Sequence, residues 1–109
     1  MSVNEISASS LLEMSASITS GSIRLVDVRE EHEFNAGHIP GAISVPLSVL
    51  VERIEELRGD SPLYLVCQVG GRSMRACEYA QSLGIEATNI GGGTTGWIDA
   101  GGDIVSDTV

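Results

Sequence analysis

Short apolar runs alternate along this chain with stretches in which apolar residues recur every three or four positions. Residues 24–28 (Arg-Leu-Val-Asp-Val), 42–45 and 63–66 are of the first kind, bounded by charge, proline or glycine. Runs this short and unbroken predict buried strands, and residues 86–90 follow as a last one. Leu47, Leu50, Val51, Ile54 and Leu57 are of the second kind, with Glu52, Arg53, Glu55 and Glu56 opposite and Gly59 at the end. They predict an amphipathic surface helix. Ser73 is expected to cap a second helix that carries Ala76, Ala80 and Leu83 on one face and stops at Gly84. Ser10 and Glu13 read as a capping box opening a short first helix. Residues 30–37 read as a turn or a single helical turn, and a short C-terminal helix is expected from near Thr94. Strands alternating with helices imply an α/β fold with a parallel sheet covered on both faces. Ligands of such sheets lie beyond the carboxyl ends of the strands, which is where Cys67 falls.

Length adds that 109 residues make one domain, spanning 1–109. Charge removes whole classes of partner. The net charge is -9, with no lysine at all, whereas nucleic acid and anionic membrane both demand a basic surface. The opening Met1-Ser-Val-Asn-Glu5 lacks the basic and apolar regions of a secretory signal. No apolar run reaches the length of a membrane span. A cytoplasmic protein is expected, with Cys67 and Cys77 as free thiols.

The candidate chemistry sits in Cys67-Gln-Val-Gly-Gly-Arg72, followed by Ser73. A strand delivers a cysteine, two glycines follow, and a helix begins. Gly70 and Gly71 allow successive backbone N–H groups to turn inward, forming an anion cradle at a helix N-terminus. A cysteine at its centre is stabilised as thiolate, the nucleophilic form. An isolated cysteine at a strand end is more often inert and buried; the full order of strand, cysteine, glycines, arginine and serine points to a nucleophile instead. Gln68, Val69, Gly70, Gly71, Arg72 and Ser73 are the expected substrate-binding positions. Arg72 is the only cation within the loop and is suited to an anionic group through its planar fork.

These motifs resemble the rhodaneses. Single-domain members show Asp-Val-Arg, then Gly-His-Ile-Pro-Gly-Ala, then a six-residue loop that starts with cysteine, and later a glycine-rich turn before a tryptophan. Here these are Asp27-Val-Arg29, Gly37-His-Ile-Pro-Gly-Ala42, Cys67 to Arg72, and Gly91-Gly92 with Trp97, in the same order. The resemblance runs from about Leu25 to Gly102. It implies a rhodanese-like domain with a central five-stranded parallel sheet and helices on both faces. It also implies a ping-pong sulfurtransferase. Cys67 would take sulfane sulfur from thiosulfate or a persulfide, hold it as a covalent persulfide, and pass it to cyanide or a thiol, including a protein thiol. No metal or organic cofactor is implied.

Asp27 and Arg29 are expected to support the site as an ion pair or hydrogen-bonded pair within the fold. His38 reads as structural, since a preformed thiolate needs no base. His32 and His38 are too far apart for metal-binding helical geometry. Cys77 belongs on the packed face of its helix. Two rivals remain. Related cysteine phosphatases and arsenate reductases place five residues between cysteine and arginine, against the four here, so this cradle suits a sulfur atom better than a tetrahedral oxyanion. The other rival is a rhodanese-like binding module without catalysis, which the intact Cys67 loop argues against.

Overall fold

A computed structural model describes residues 2–107. Its strands are β1 (Asn4–Ser7), β2 (Arg24–Asp27), β3 (Ile43–Ser44), β4 (Leu63–Val66) and β5 (Thr88–Gly91). They form one sheet in the spatial order β1-β5-β4-β2-β3, with every pairing parallel. The helices are α1 (Ala8–Leu12), α2 (Ser15–Ser20), α3 (Glu31–Ala36), α4 (Leu47–Arg53), α5 (Gly71–Ser82) and α6 (Gly93–Asp99).

Because side chains alternate along a strand, the central strands divide the core in two. Val26, Leu63, Leu65 and Cys67 face one way and pack with Leu50, Ile54, Leu57, Ala76, Cys77 and Ala80 from α4 and α5. Leu25, Val66 and Ile90 face the other way, against Ala8, Leu11, Ile18 and Trp97 from α1, α2 and α6. The sheet is thus covered on both faces, as expected. Each fully buried leucine, such as Leu65, contributes about 1.5–3 kcal/mol through removal of its surface from water. In the centre of the sheet Val26 pairs with Leu65 and Asp27 with Val66, so β2 and β4 end side by side and the residues that follow them share one rim.

Several elements depart from the sequence reading. β1 was not expected. Its only large apolar side chain is Ile6, and it is an edge strand held by β5. The first helix starts earlier than the expected cap: Ser7, not Ser10, is the N-cap, its Oγ accepting the Ser10 N–H at 3.1 Å. A second short helix, α2, follows where none was read. The amphipathic helix breaks at Ile54, and a single 3-10 turn (Ile54–Leu57) finishes it while keeping Ile54 and Leu57 buried. Residues 30–37 contain α3, opened by a capping box between Glu30 and Glu33, with Phe34 buried. Leu83 is 38% exposed rather than packed, because α5 ends at Ser82 and the chain turns there.

Candidate active site

Cys67 is the first residue past β4 and is buried. The loop that follows curls back over it. Gly70 N–H donates to Cys67 Sγ at 3.1 Å, and the Ser73 hydroxyl lies 3.3 Å from the same sulfur. Burial pushes the Cys67 thiol up. The Ser73 hydroxyl and the backbone amides of Ser73, Gly70 and Val69 push it down harder, so it sits below the ordinary cysteine value. The cradle expected from the sequence is therefore present, and it favours the thiolate.

Two details of the loop differ from expectation. Only the first glycine is conformationally required. Gly70 has φ +112°, in the left-handed region, whereas a side chain at Gly71 would meet open space. Nor is Ser73 the helix cap. α5 starts at Gly71 with Gly70 as its N-cap, and Ser73 lies buried inside the first turn. That position turns its hydroxyl inward, toward Cys67 Sγ, Gly70 O and Asn89 Oδ1.

Arg72, the position expected to meet an anionic group, is paired within the fold: its Nη1 and Nη2 donate to Glu33 Oε1 and Oε2 at 2.7 and 2.9 Å. The side chain is 39% exposed, so it stands at the rim of the loop. Gln68 is likewise engaged, with its Oε1 accepting from Arg29 Nη1 at 3.1 Å and its Nε2 donating to Thr95 Oγ1 at 2.7 Å. Val69 projects outward at 66% exposure and makes the tip of the loop apolar.

Asp27 and Arg29 form the pair anticipated for them. Arg29 Nη2 donates to Asp27 Oδ2 at 2.8 Å, and both residues are buried. Arg29 Nη2 also donates to Gly37 O at 2.8 Å. This one guanidinium thus ties the end of β2 to the turn after α3 and to Gln68. His38 is buried, its Nδ1 2.8 Å from Phe34 O and its ring stacked on Phe34 at 3.7 Å. It is a packing residue here. Cys77 is buried on α5, and burial pushes its thiol up to about 12.

The far side of the loop rests on α6. Thr94 N–H donates to Cys67 O at 2.9 Å and Thr95 N–H to Gln68 O at 3.0 Å. The approach is close enough that a Cβ on Gly93 would lie 2.5 Å from both carbonyl oxygens, and Gly93 itself has φ +60°. Trp97 does not reach the cysteine. It packs in the core on the opposite face of the sheet, its Nε1 donating to Asp103 O. Sequence reasoning missed Glu33 and Asn89, and it placed the start of the last helix near Thr94 without its amide bonds to the loop. Only Glu33 carried a local signal, the Glu30-x-x-Glu33 pattern of a capping box, and that signal spoke of a helix start rather than of Arg72.

A parallel α/β sheet with a buried, amide-ringed cysteine at its carboxyl end defines a class, the proteins that use a cysteine inside a backbone anion cradle. Within it, a model of the rhodanese-like domain matches residues 10–100, and the chain belongs to that family. The Bacillus subtilis protein YqhL is 47% identical over 75 residues, covering 68% of this chain and 60% of its own length. A protein named sulfurtransferase from Allochromatium vinosum is 33% identical over 105 residues, covering 95% of this chain and 96% of its own. The crystal structure of a rhodanese-related protein from Thermoplasma volcanium superposes with a TM-score of 0.82 at 31% identity, over 94% of this chain and 97% of that one.

Proposed function

We propose that this protein is a sulfurtransferase that carries sulfane sulfur as a persulfide on Cys67. The observation that carries the reading is the ring of donors on Cys67 Sγ, in which Gly70 N–H and the Ser73 hydroxyl lie at 3.1 and 3.3 Å. The similarity to a protein named sulfurtransferase over nearly the whole of both chains supports it. In the first half-reaction the Cys67 thiolate attacks the outer sulfur of the donor. The S–S bond of the donor breaks, its electron pair leaves with the departing group, and Cys67 keeps the sulfur as –S–S⁻. In the second half-reaction a nucleophile attacks that outer sulfur, and the Cys67 thiolate is the leaving group. The amides of Val69, Gly70 and Ser73 serve both states, because each places one negative charge in the loop. Neither step calls for a metal or an organic cofactor.

The acceptor is a thiol, low-molecular-weight or on a protein. The working compartment is the reducing cytoplasm, where Cys67 stays available as a thiol. Among the described residues no helix is long and apolar enough to cross a membrane. The four-residue span from Cys67 to Arg72 supports transfer of sulfur over hydrolysis of phosphate.

The test is turnover of sulfane sulfur to cyanide, read as thiocyanate, alongside hydrolysis of an aryl phosphate. Native protein is expected to form thiocyanate and to leave the phosphate ester intact, and Cys67→Ser to form no thiocyanate while keeping its fold. Thiocyanate formation that survives Cys67→Ser, or robust phosphatase activity, contradicts the proposal.

A further inference from the structure

The loop contains a single cation, and the fold has already occupied it. Arg72 meets Glu33 through two parallel hydrogen bonds at 2.7 and 2.9 Å, the strongest geometry available to an arginine and a carboxylate. Glu33 is fixed in turn, since its Oε1 accepts the Glu30 N–H at 3.1 Å in the capping box of α3. The Arg72 guanidinium holds the Glu33 carboxyl at about 2, so it stays ionised at any neutral or mildly acid pH.

The other cations do not fill the gap. Arg29 is spent on Asp27, Gln68 and Gly37. Arg24 donates to Leu57 O and Ser61 O beside a cavity of about 730 Å³ that also takes in residues preceding β4 and β5, away from the cysteine. Arg53 and Arg58 pair with Glu56 and Glu55. Arg75 is exposed on α5, about one turn beyond Arg72. An incoming donor therefore meets a rim close to neutral, on a chain whose net charge is -9. The backbone amides can hold one sulfur anion, and the one arginine within the loop is already paired with a carboxylate.

We propose that Glu33 is a specificity-determining residue. By neutralising Arg72 it turns the site away from dianionic thiosulfate and toward sulfane-sulfur donors that carry one negative charge or none, persulfides above all. This rests on the sulfurtransferase reading. With a persulfide R–S–SH, the Cys67 thiolate takes the outer sulfur, the S–S bond breaks, and the RS⁻ released takes up the persulfide proton as RSH. With thiosulfate the same displacement must bring in a dianion and expel sulfite, also a dianion, past an arginine that is already paired.

The test compares thiosulfate with methanethiosulfonate, which offers the same sulfane sulfur with one charge fewer, using cyanide as acceptor at low ionic strength. Glu33→Gln keeps the cap of α3, because a glutamine carbonyl also accepts the Glu30 N–H, and it releases Arg72. A charge-assisted hydrogen bond is worth about 1.5–3 kcal/mol, so the thiosulfate KM is expected to fall by about tenfold or more. The methanethiosulfonate KM should shift much less and kcat little for either donor. Adding Arg72→Ala to that variant should remove the gain, which a merely structural role for Glu33 does not predict. The native protein supplies a second measurement that does not depend on any variant folding. Raising ionic strength screens an acidic surface from a dianion, so the native thiosulfate KM should fall with salt, whereas a free arginine at the rim would make it rise. An unchanged ratio of the two KM values in Glu33→Gln, or a native KM that climbs with salt, overturns the inference and leaves the sulfurtransferase reading standing. Failure of the native protein to turn over either donor, with no sulfur found on Cys67, overturns that reading instead.

Discussion

The Ser73 hydroxyl has one proton and three acceptors within reach: Asn89 Oδ1 at 2.5 Å, Cys67 Sγ at 3.3 Å and Gly70 O at 3.3 Å. Asn89 cannot be turned to help, because its Nδ2 already donates to Glu5 Oε2 at 2.7 Å and to Gly70 O at 3.2 Å. While Cys67 is a thiol, the Ser73 proton belongs with Asn89, and the serine oxygen can accept from S–H. Once the thiolate forms, the sulfur competes for that proton. Ser73→Ala is therefore expected to move the midpoint of Cys67 alkylation against pH upward, toward the ~8.5 of free cysteine. An unchanged midpoint would leave the backbone amides as sole activators. The second cysteine gives the opposite behaviour. Burial pushes the Cys77 thiol up to about 12, so it is protonated and unreactive at neutral pH. Native folded protein should take one equivalent of iodoacetamide and Cys67→Ser essentially none, by intact mass at pH 8. Neither cysteine's state follows from composition. Cys67 was legible because the loop that cradles it follows it directly in sequence, but the inward turn of Ser73 was not, since it depends on α5 starting at Gly71, ahead of the serine.

At the scale of elements, the loop and α6 are built as one unit. Gly93→Ala would put a methyl carbon 2.5 Å from Cys67 O and Gln68 O at a residue held at φ +60°. The N-terminus of α6 would have to withdraw, with loss of the Thr94 and Thr95 amide bonds to the loop. A cost of about 2 kcal/mol or more is expected from the strained φ and the lost contacts, read as a lower Tm together with slower alkylation of Cys67. Gly71→Ala is the contrasting case. It has open space and an ordinary φ in the first turn of a helix, and should be neutral or stabilising by up to ~1 kcal/mol. A severe effect at Gly71 or none at Gly93 would mean the loop is held by other contacts. The strands β2, β3, β4 and β5 were legible from their apolar runs to within two residues. β1 was not, because an edge strand with one buried-facing side chain, Ile6, has too little pattern to read. The first helix was misplaced for a related reason. Ser7, Ser9 and Ser10 are all capable caps, and Ser7 is the one that directly precedes α1 at the end of β1.

At the scale of the whole molecule, the site is held by contacts that join distant parts of the chain. Arg72 reaches Glu33 across 39 positions and Asn89 reaches Glu5 across 84. Periodicity cannot reveal such pairings, which is why the rhodanese fold and the cysteine loop were readable while the pairing of Arg72 with Glu33 was not. Asp27 is the test of this framework. Asp27→Ala leaves the Arg29 guanidinium buried without its counter-charge, and should cost about 3–5 kcal/mol in denaturant unfolding. A loss under ~1 kcal/mol would show that Gln68 and Gly37 hold Arg29 well enough alone. Acid stability gives a second whole-molecule readout. The Glu33 carboxyl is lowered from 4.5 to about 2 in the folded state, chiefly by its hydrogen bonds from Arg72. A depressed carboxyl contributes stability that is fully present above its unfolded value and is lost as pH falls through the folded one. Native protein should therefore lose stability between about pH 4.5 and pH 2 more steeply than Glu33→Gln does. Parallel acid profiles for the two proteins would contradict the pairing of Glu33 with Arg72.

The central claim is that sulfur rides on Cys67. It is tested most directly by brief exposure of the reduced protein to excess methanethiosulfonate, followed by intact mass and peptide mapping before and after cyanide. The expected result is one added sulfur atom, confined to the peptide that contains Cys67, released by cyanide as a stoichiometric amount of thiocyanate, and missing in Cys67→Ser. Added sulfur on Cys77, or a native protein that gains none, would contradict the account.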